Sequence, residues 1–271
     1  MKKLISTRLS SNFLVRLTAF IALTVPLITF GQAAKSPAAA QVAPPAKLPP
    51  AKEIIANFVK AIGGKEAFSK IKSQHATGKF EMAAQGLSGD LEISAARPNK
   101  MFVKVNLPGL GDILEGFDGK VAWTVNPATG PMVLDGKQLE EKLEQADFDS
   151  VLHDEKDFKS METIEVTQFE GKECYKLKLI KKSGREVTEY YDTKSGLLSG
   201  FVATQESPVG PLTVTAALSD YKKFGDVLFV TKVTQKIGPV EQVMNLSSME
   251  FNKVKDSAFD LPEQIKALNK K

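Results

Sequence analysis

The sequence has few of the side chains from which catalytic and metal sites are usually built. It contains one cysteine, Cys174, and two histidines, His75 and His153. A single cysteine excludes a disulfide within the chain, and a zinc site of the usual His and Cys type could not be completed without carboxylates. Neither a Gly-x-Ser-x-Gly nucleophile motif nor a glycine-rich phosphate loop is present. We therefore expect a protein that is not an enzyme and that holds no metal or cofactor.

Acidic residues are missing from positions 1–33, which carry four basic residues and an uncharged apolar run at 17–30. That run has 14 residues, fewer than the roughly 20 that a membrane-spanning helix needs. Small residues at Gly31 and Ala33 suit cleavage by a signal peptidase. We predict a cleavable signal peptide at 1–33 and a mature protein in the periplasm. An uncleaved membrane anchor is the alternative.

The remaining chain has no excess of positive charge. Of 36 Lys and Arg residues, four lie in 1–33, which leaves 32 against 32 Asp and Glu. Because binding to phosphate backbones depends on such an excess, we expect no nucleic-acid partner. Five prolines in 34–50 predict a Pro/Ala-rich linker. The rest, 51–271, shows no further change in composition, and we interpret it as one domain that is a monomer.

Three short segments have helical periodicity. Apolar residues recur at helical spacing in 51–62 and again in 65–71. A third helix is predicted at 136–146, where Leu139 and Leu143 fall on one face among charged residues.

Most of the chain alternates apolar and polar residues with a period of two, which is typical of half-buried strands. Two such series run through 73–125 and 163–251, separated by the helical segment. Turn sequences such as Asp118-Gly119 lie between successive runs. The predicted fold class is therefore mainly β with a few helices, built as an antiparallel meander.

The alternating phase of the first strands selects candidates for one apolar face. We predict that a concave, ligand-binding face carries Phe80, Met82, Leu91, Ile93, Met101, Val103, Val105 and Trp123. Trp123 also suits a plain core position. A shift of one residue in register would exchange the two faces of a strand.

Several short motifs, in a fixed order, resemble the LolA-like family of periplasmic lipoprotein carriers. The motifs are Arg97-Pro98-Asn99 before an alternating strand, Asp118-Gly119-Lys120, Trp123, Asn126-Pro127 and, near the carboxyl end, Phe259-Asp260-Leu261-Pro262. The order of a first helix, about five strands, a helical insert and further strands agrees with that family over most of 51–263.

The resemblance implies an incomplete, curved antiparallel β-barrel with helices across its open side, enclosing an apolar cleft for acyl chains. It further implies that Arg97 holds a helical lid closed by hydrogen bonds to backbone carbonyls, and that Leu139 and Leu143 belong to this lid. In the alternative, Arg97 only anchors the end of a strand.

On this basis the chain is predicted to be a soluble periplasmic carrier of the outer-membrane lipoprotein-sorting type. Its cargo would be a lipid or an acylated lipoprotein, exchanged with donor and acceptor proteins of the membranes. The alternative is a non-catalytic envelope interaction or structural module whose concave face is filled by its own side chains. A continuous apolar cavity would favour the first, and a packed concave face would count against it.

Overall fold

The structure, a computed structural model, describes residues 48–207 and 210–269. The predicted signal peptide, and all of the predicted linker except its last three residues, lie outside the described residues. No helix in the described ranges is both long enough and apolar enough to cross a bilayer.

Within the described residues, thirteen antiparallel strands form one sheet in the order β6-β5-β4-β3-β2-β1-β13-β12-β11-β10-β9-β8-β7. The strands are β1 Ser73–Met82, β2 Leu87–Ala96, β3 Lys100–Leu107, β4 Gly111–Phe117, β5 Ala122–Asn126, β6 Gly130–Val133, β7 Phe158–Phe169, β8 Lys172–Lys181, β9 Glu186–Asp192, β10 Leu198–Gln205, β11 Leu212–Phe224, β12 Val227–Ile237 and β13 Val240–Phe251. The helices are α1 Ala51–Ala61, α2 Gly64–Ser69, α3 Gly136–Ala146 and α4 Glu263–Leu268. The predicted fold class, mainly β with a few helices, is confirmed.

Two meanders make up the sheet, and they join at its centre. Strands β1 to β6 follow one another in space, as do β7 to β13, and β1 pairs with β13. The first and the last strand along the chain, β1 and β13, are therefore neighbours in the middle of the sheet. Short hairpin turns explain the neighbour-to-neighbour order within each half.

Helix α1 lies across the concave side of the sheet. Its apolar stripe is buried, and the Phe58 ring packs edge-on against Tyr191 of β9 with centroids 5.5 Å apart. At the carboxyl end of the helix the Ile62 carbonyl accepts a hydrogen bond of 2.8 Å from the Leu228 amide of β12. Gly63 has a φ of 122° and turns the chain there. A Cβ atom added to Gly63 would lie 2.5 Å from the backbone oxygen of Asp226. Only glycine fits this approach of helix to sheet.

The helical insert, residues 136–158, is the connection between the two meanders. It consists of α3 followed by the short turns Ser150–Leu152 and Glu155–Asp157. Helix α3 contacts β4 and β5. Together α1, α2 and the insert cover the concave side, while the last helix, α4, contacts β6.

Candidate functional site

Seven of the eight residues predicted for the concave face share that face. Cross-strand partners in an antiparallel sheet point to the same side, and the pairs Ile93 with Val103 and Leu91 with Val105 place β2 and β3 in a common phase. The seven are Phe80, Met82, Leu91, Ile93, Met101, Val103 and Val105, and each is 4% exposed or less. Whether they bind a ligand stays a prediction.

Trp123 was predicted on this face, and that prediction is wrong. It pairs with Gly116, which pairs with Phe102, so these three residues face the convex side. A Cβ atom at Gly116 would lie 2.7 Å from the indole, and Phe102 packs 6.2 Å from it, centroid to centroid. The indole is still only 1% exposed. The alternation of β5 does not show which face is concave, because both of its faces carry buried residues.

The concave face is filled by side chains of the protein itself. Ile54, Ile55, Phe58 and Val59 of α1 join the same apolar cluster as the strand residues. Phe68 of α2 belongs to it as well. In this conformation the inner surface is a packed core, so an acyl chain could lie against it only if helices moved.

Helix α3 meets the sheet through buried charges as well as apolar contacts. Leu139 and Leu143 are partly buried and pack on the core, and a lid role for them stays a prediction. Between them, the Lys142 ammonium lies 2.9 Å from the Glu115 carboxylate of β4, and the side chains are 6% and 11% exposed. Such a pair is costly to desolvate and gives little net stability compared with apolar packing.

The other side of α3 carries a second set of buried charges. The Glu144 carboxylate accepts a hydrogen bond of 2.7 Å from Ser183 and lies 3.4 Å from the Lys181 ammonium. It also pairs with the Arg185 guanidinium. Because Ser183 and Arg185 belong to the turn between β8 and β9, α3 connects one half of the sheet with the other.

Arg97 was predicted to hold the lid, and the structure places it between α2 and the insert. Its Nε donates to the carbonyl of Ile71, just after α2, at 2.7 Å, and a terminal nitrogen donates to the carbonyl of Phe68, within α2, at 3.0 Å. The other terminal nitrogen pairs with Asp149, and the guanidinium carbon lies 4.9 Å from the Phe148 ring centroid. The carbonyl acceptors thus come from α2 and the segment that follows it, and the contact with the insert is made through the loop after α3. A latch role stays a prediction.

A cavity of about 80 Å³ lies beneath α3. Its walls come from β4, β5, β6 and the end of β10, and from the buried side of the helix. Gln205 at the end of β10 is 9% exposed, and its Oε1 accepts no hydrogen bond from any residue that the structure describes.

A wider groove of about 610 Å³ lies between α1 and the insert. Ile55, Val59 and Met161 supply apolar surface, and lysines and acids alternate along its sides. Lys52 and Glu155 bridge it with a distance of 2.6 Å, both more than half exposed. Surface pairs of this kind contribute little, so this gap between helix and insert is weakly held.

A buried polar cluster at the base of this groove was not expected from the sequence. The His153 Nε2 lies 3.0 Å from the Glu189 carboxylate, and both side chains are 1% exposed or less. Tyr191 donates to the same carboxylate at 2.6 Å, while Nδ1 of the histidine lies 3.0 Å from the Val151 carbonyl. Both ring nitrogens therefore face acceptors. In the described ranges, no three His, Cys, Asp or Glu side chains are grouped to hold a metal.

No protein-family model and no curated protein matches the sequence. Solved structures do match the fold. A DUF1329 family protein from Desulfovibrio piger aligns with a TM-score of 0.54 and 12% identity, covering 78% of this chain and 97% of its own. A LolA superfamily protein from Nitrosomonas europaea aligns at 0.53 and 12%, covering 79% and 99%.

A third match is a protein domain from Vibrio parahaemolyticus described as of the outer membrane lipoprotein-sorting type. Its TM-score is 0.52 at 14% identity, with 77% of this chain and 95% of that chain covered. At such low identity the matches establish architecture, and they agree with the resemblance carried by the motifs around Arg97. The chain has the LolA-like fold, an open curved antiparallel sheet whose concave side is covered by helices.

Proposed function

We propose that this protein is a non-catalytic periplasmic carrier that shelters an acyl chain of a lipid or lipoprotein against its concave face. One observation carries the proposal. The insert that covers the apolar sheet is attached by buried ion pairs, Lys142 with Glu115 and Glu144 with Arg185, in addition to its apolar contacts. These groups regain hydration when the insert lifts, whereas an apolar attachment would not.

Opening would expose the apolar residues of β1 to β3, and an acyl chain would then replace the lost protein contacts. Each methylene moved out of water contributes about 0.8 kcal/mol. A chain of moderate length is therefore sufficient to hold the insert open. Export by the predicted signal peptide at 1–33 would place this exchange in the periplasm, where membrane donor and acceptor proteins would load and unload the cargo.

The direct test is mass spectrometry of lipids that copurify with the protein from its native periplasm, beside binding of fluorescent fatty acids of increasing length. We expect bound lipid, and affinity that rises up to about fourfold per methylene. Leu143→Ser should accelerate exchange because it removes an apolar contact of the insert. Glu140→Ser, at an exposed position of the same helix, should not. Absence of native lipid together with affinity independent of chain length would contradict carriage.

The second candidate is an interaction module with a self-filled concave face. It is favoured by the packing of α1, whose residues Ile54 and Phe58 are 4% and 1% exposed and occupy the inner surface. The same experiment separates the two functions, since a self-filled module binds no chain and responds to neither serine variant.

A further inference from the structure

Two glutamines lie side by side on the concave face, at the centre of the sheet. Gln235 of β12 and Gln242 of β13 are cross-strand partners. Met244, two residues further along β13, pairs with Phe80, which is one of the seven concave-face residues. Because alternate residues of a strand share a face, both glutamines point to the concave side. They are 0% and 1% exposed, so the largely apolar inner surface contains two buried carboxamides.

These carboxamides lack hydrogen bonds that they are able to make. Neither Nε2 nor Oε1 of Gln235 has a partner among the described residues, and the same holds for Oε1 of Gln242. A single hydrogen bond between the two side chains would still leave one of the oxygens unmet. Unmet polar atoms at full burial destabilise a fold, and leucine, which has a similar size, would avoid this. The folded state by itself therefore gives no reason for a glutamine at position 235.

The glutamine pair adjoins the apolar residues of the first meander. Met82, the last residue of β1, is buried on the concave face and follows Glu81. Glu81 pairs with Val243, the neighbour of Gln242 in sequence, so Met82 lies beside Gln242. An acyl chain that replaced the covering helices along β1 to β3 would therefore bring its polar linkage next to the two carboxamides.

We propose that Gln235 and Gln242 bind the secondary amide that joins an acyl chain to its head group. A secondary amide is neutral and has one N–H donor and one carbonyl acceptor, so it satisfies a glutamine oxygen and the Gln235 Nε2 together. An ester has no donor and would leave the glutamine oxygens unmet, and an ion would need a counter-charge that neither glutamine provides. The inference rests on the proposed carriage for the acyl chain, and it adds the linkage that the carrier recognises.

The binding test uses N-methyldecanamide, N,N-dimethyldecanamide and methyl decanoate, which share one acyl chain and carry no charge. Isothermal titration should show N-methyldecanamide binding about tenfold more tightly than methyl decanoate, the ratio expected for the hydrogen bonds gained. The dimethyl amide should lie between them, since it accepts a hydrogen bond but has no N–H to donate. An N-decanoyl dipeptide compared with N-decanoylethanolamine then identifies whether the amide belongs to a protein terminus or to a lipid.

Gln235→Leu separates a binding role from a structural role. The variant should melt about 2–4 °C higher than the wild type, because it removes unmet polar atoms from the core. It should also bind all three probes equally. Gln168→Leu, at an exposed position of β7, is the matched control and should change neither property. A lower melting temperature for Gln235→Leu would show that the folded protein itself satisfies this carboxamide, and the proposal would be overturned.

N-methylacetamide, followed by NMR of the Gln235 side-chain amide, separates the linkage from the chain. If it shifts that resonance while no decanoyl probe binds, the amide site stands and carriage fails. If the three decanoyl probes bind equally to the wild type and Gln235→Leu changes nothing, carriage stands and the amide site fails. The absence of any binding and of any shift overturns both.

Discussion

His153 and Glu189 face each other across the boundary between the insert and the sheet, with Nε2 3.0 Å from the carboxylate. Removing one partner of a buried pair leaves the other charge uncompensated, which costs about 3–5 kcal/mol. We expect His153→Leu to lower the free energy of unfolding by this amount. The double variant with Glu189→Leu should recover most of the loss. Urea denaturation of the two variants measures both effects, and a double variant as unstable as the single one would contradict the pairing.

Arg97→Leu should loosen the attachment of the insert without unfolding the sheet. The guanidinium donates to the Phe68 and Ile71 carbonyls and pairs with Asp149, and bonds to a charged donor contribute about 1.5–3 kcal/mol each. Amide hydrogen exchange in 136–158 should accelerate about tenfold or more, while exchange in β1 and β13 stays slow. Lys79→Leu removes a cation from an exposed pair on the sheet and serves as control. If the amides of the insert exchange equally slowly in both variants, Arg97 does not contribute to the attachment of the insert.

Asp147→Asn should stabilise the protein at neutral pH. Burial, together with the neighbouring carboxylates of Asp149 and Asp157, raises the pKa of Asp147 above its ordinary value. A raised folded pKa means that the folded state prefers the protonated acid, so stability is lost as pH rises through that pKa. The gain should be present at pH 7, and should vanish below about pH 4, where the free acid is protonated as well. Thermal melts at pH 7 and pH 3.5 check the sign, and an equal gain at both would contradict it.

Gly116→Ala should destabilise the protein by about 1–3 kcal/mol, because the added methyl meets the Trp123 indole at 2.7 Å. Trp123 is the single tryptophan of the chain, so its fluorescence reports this displacement directly. Ser88→Ala, exposed on β2, is the control. A variant with native stability and an unchanged emission spectrum would show that the convex packing around Trp123 is looser than described.

Most of the helices and strands could be predicted from the spacing of apolar residues in the sequence. Helix α3 was predicted at 136–146 and lies at Gly136–Ala146, because its apolar spacing is set by local geometry alone. Strand β6 was missed, since four residues that include a proline carry no readable alternation. Trp123 was assigned to the wrong face because Ala122 and Trp123 are both buried. Apolar and polar residues therefore do not alternate clearly in β5, and the buried face cannot be inferred from its sequence.

No sequence pattern predicts the buried ion pairs of the site. His153 and Glu189 lie 36 positions apart, and Lys142 and Glu115 lie 27 apart, on elements that meet only when the insert packs on the folded sheet. A charged residue in a helix, such as Lys142, is ordinarily solvent-exposed. Only the tertiary arrangement shows that it points inward.

The pairing of β1 with β13 sets the order in which the molecule can be completed. Residues such as Gln74 and Phe251 become partners only after nearly the entire domain has left the ribosome or a translocation channel. Contacts of such large sequence separation make folding slow, because the loop must close before the strands gain any hydrogen bonds. Until β13 arrives, the two meanders remain separate, and each presents an unpaired strand edge to other chains. A chaperone that masks the edge of β1 during this interval would therefore raise the yield of native protein more than one acting on the finished fold.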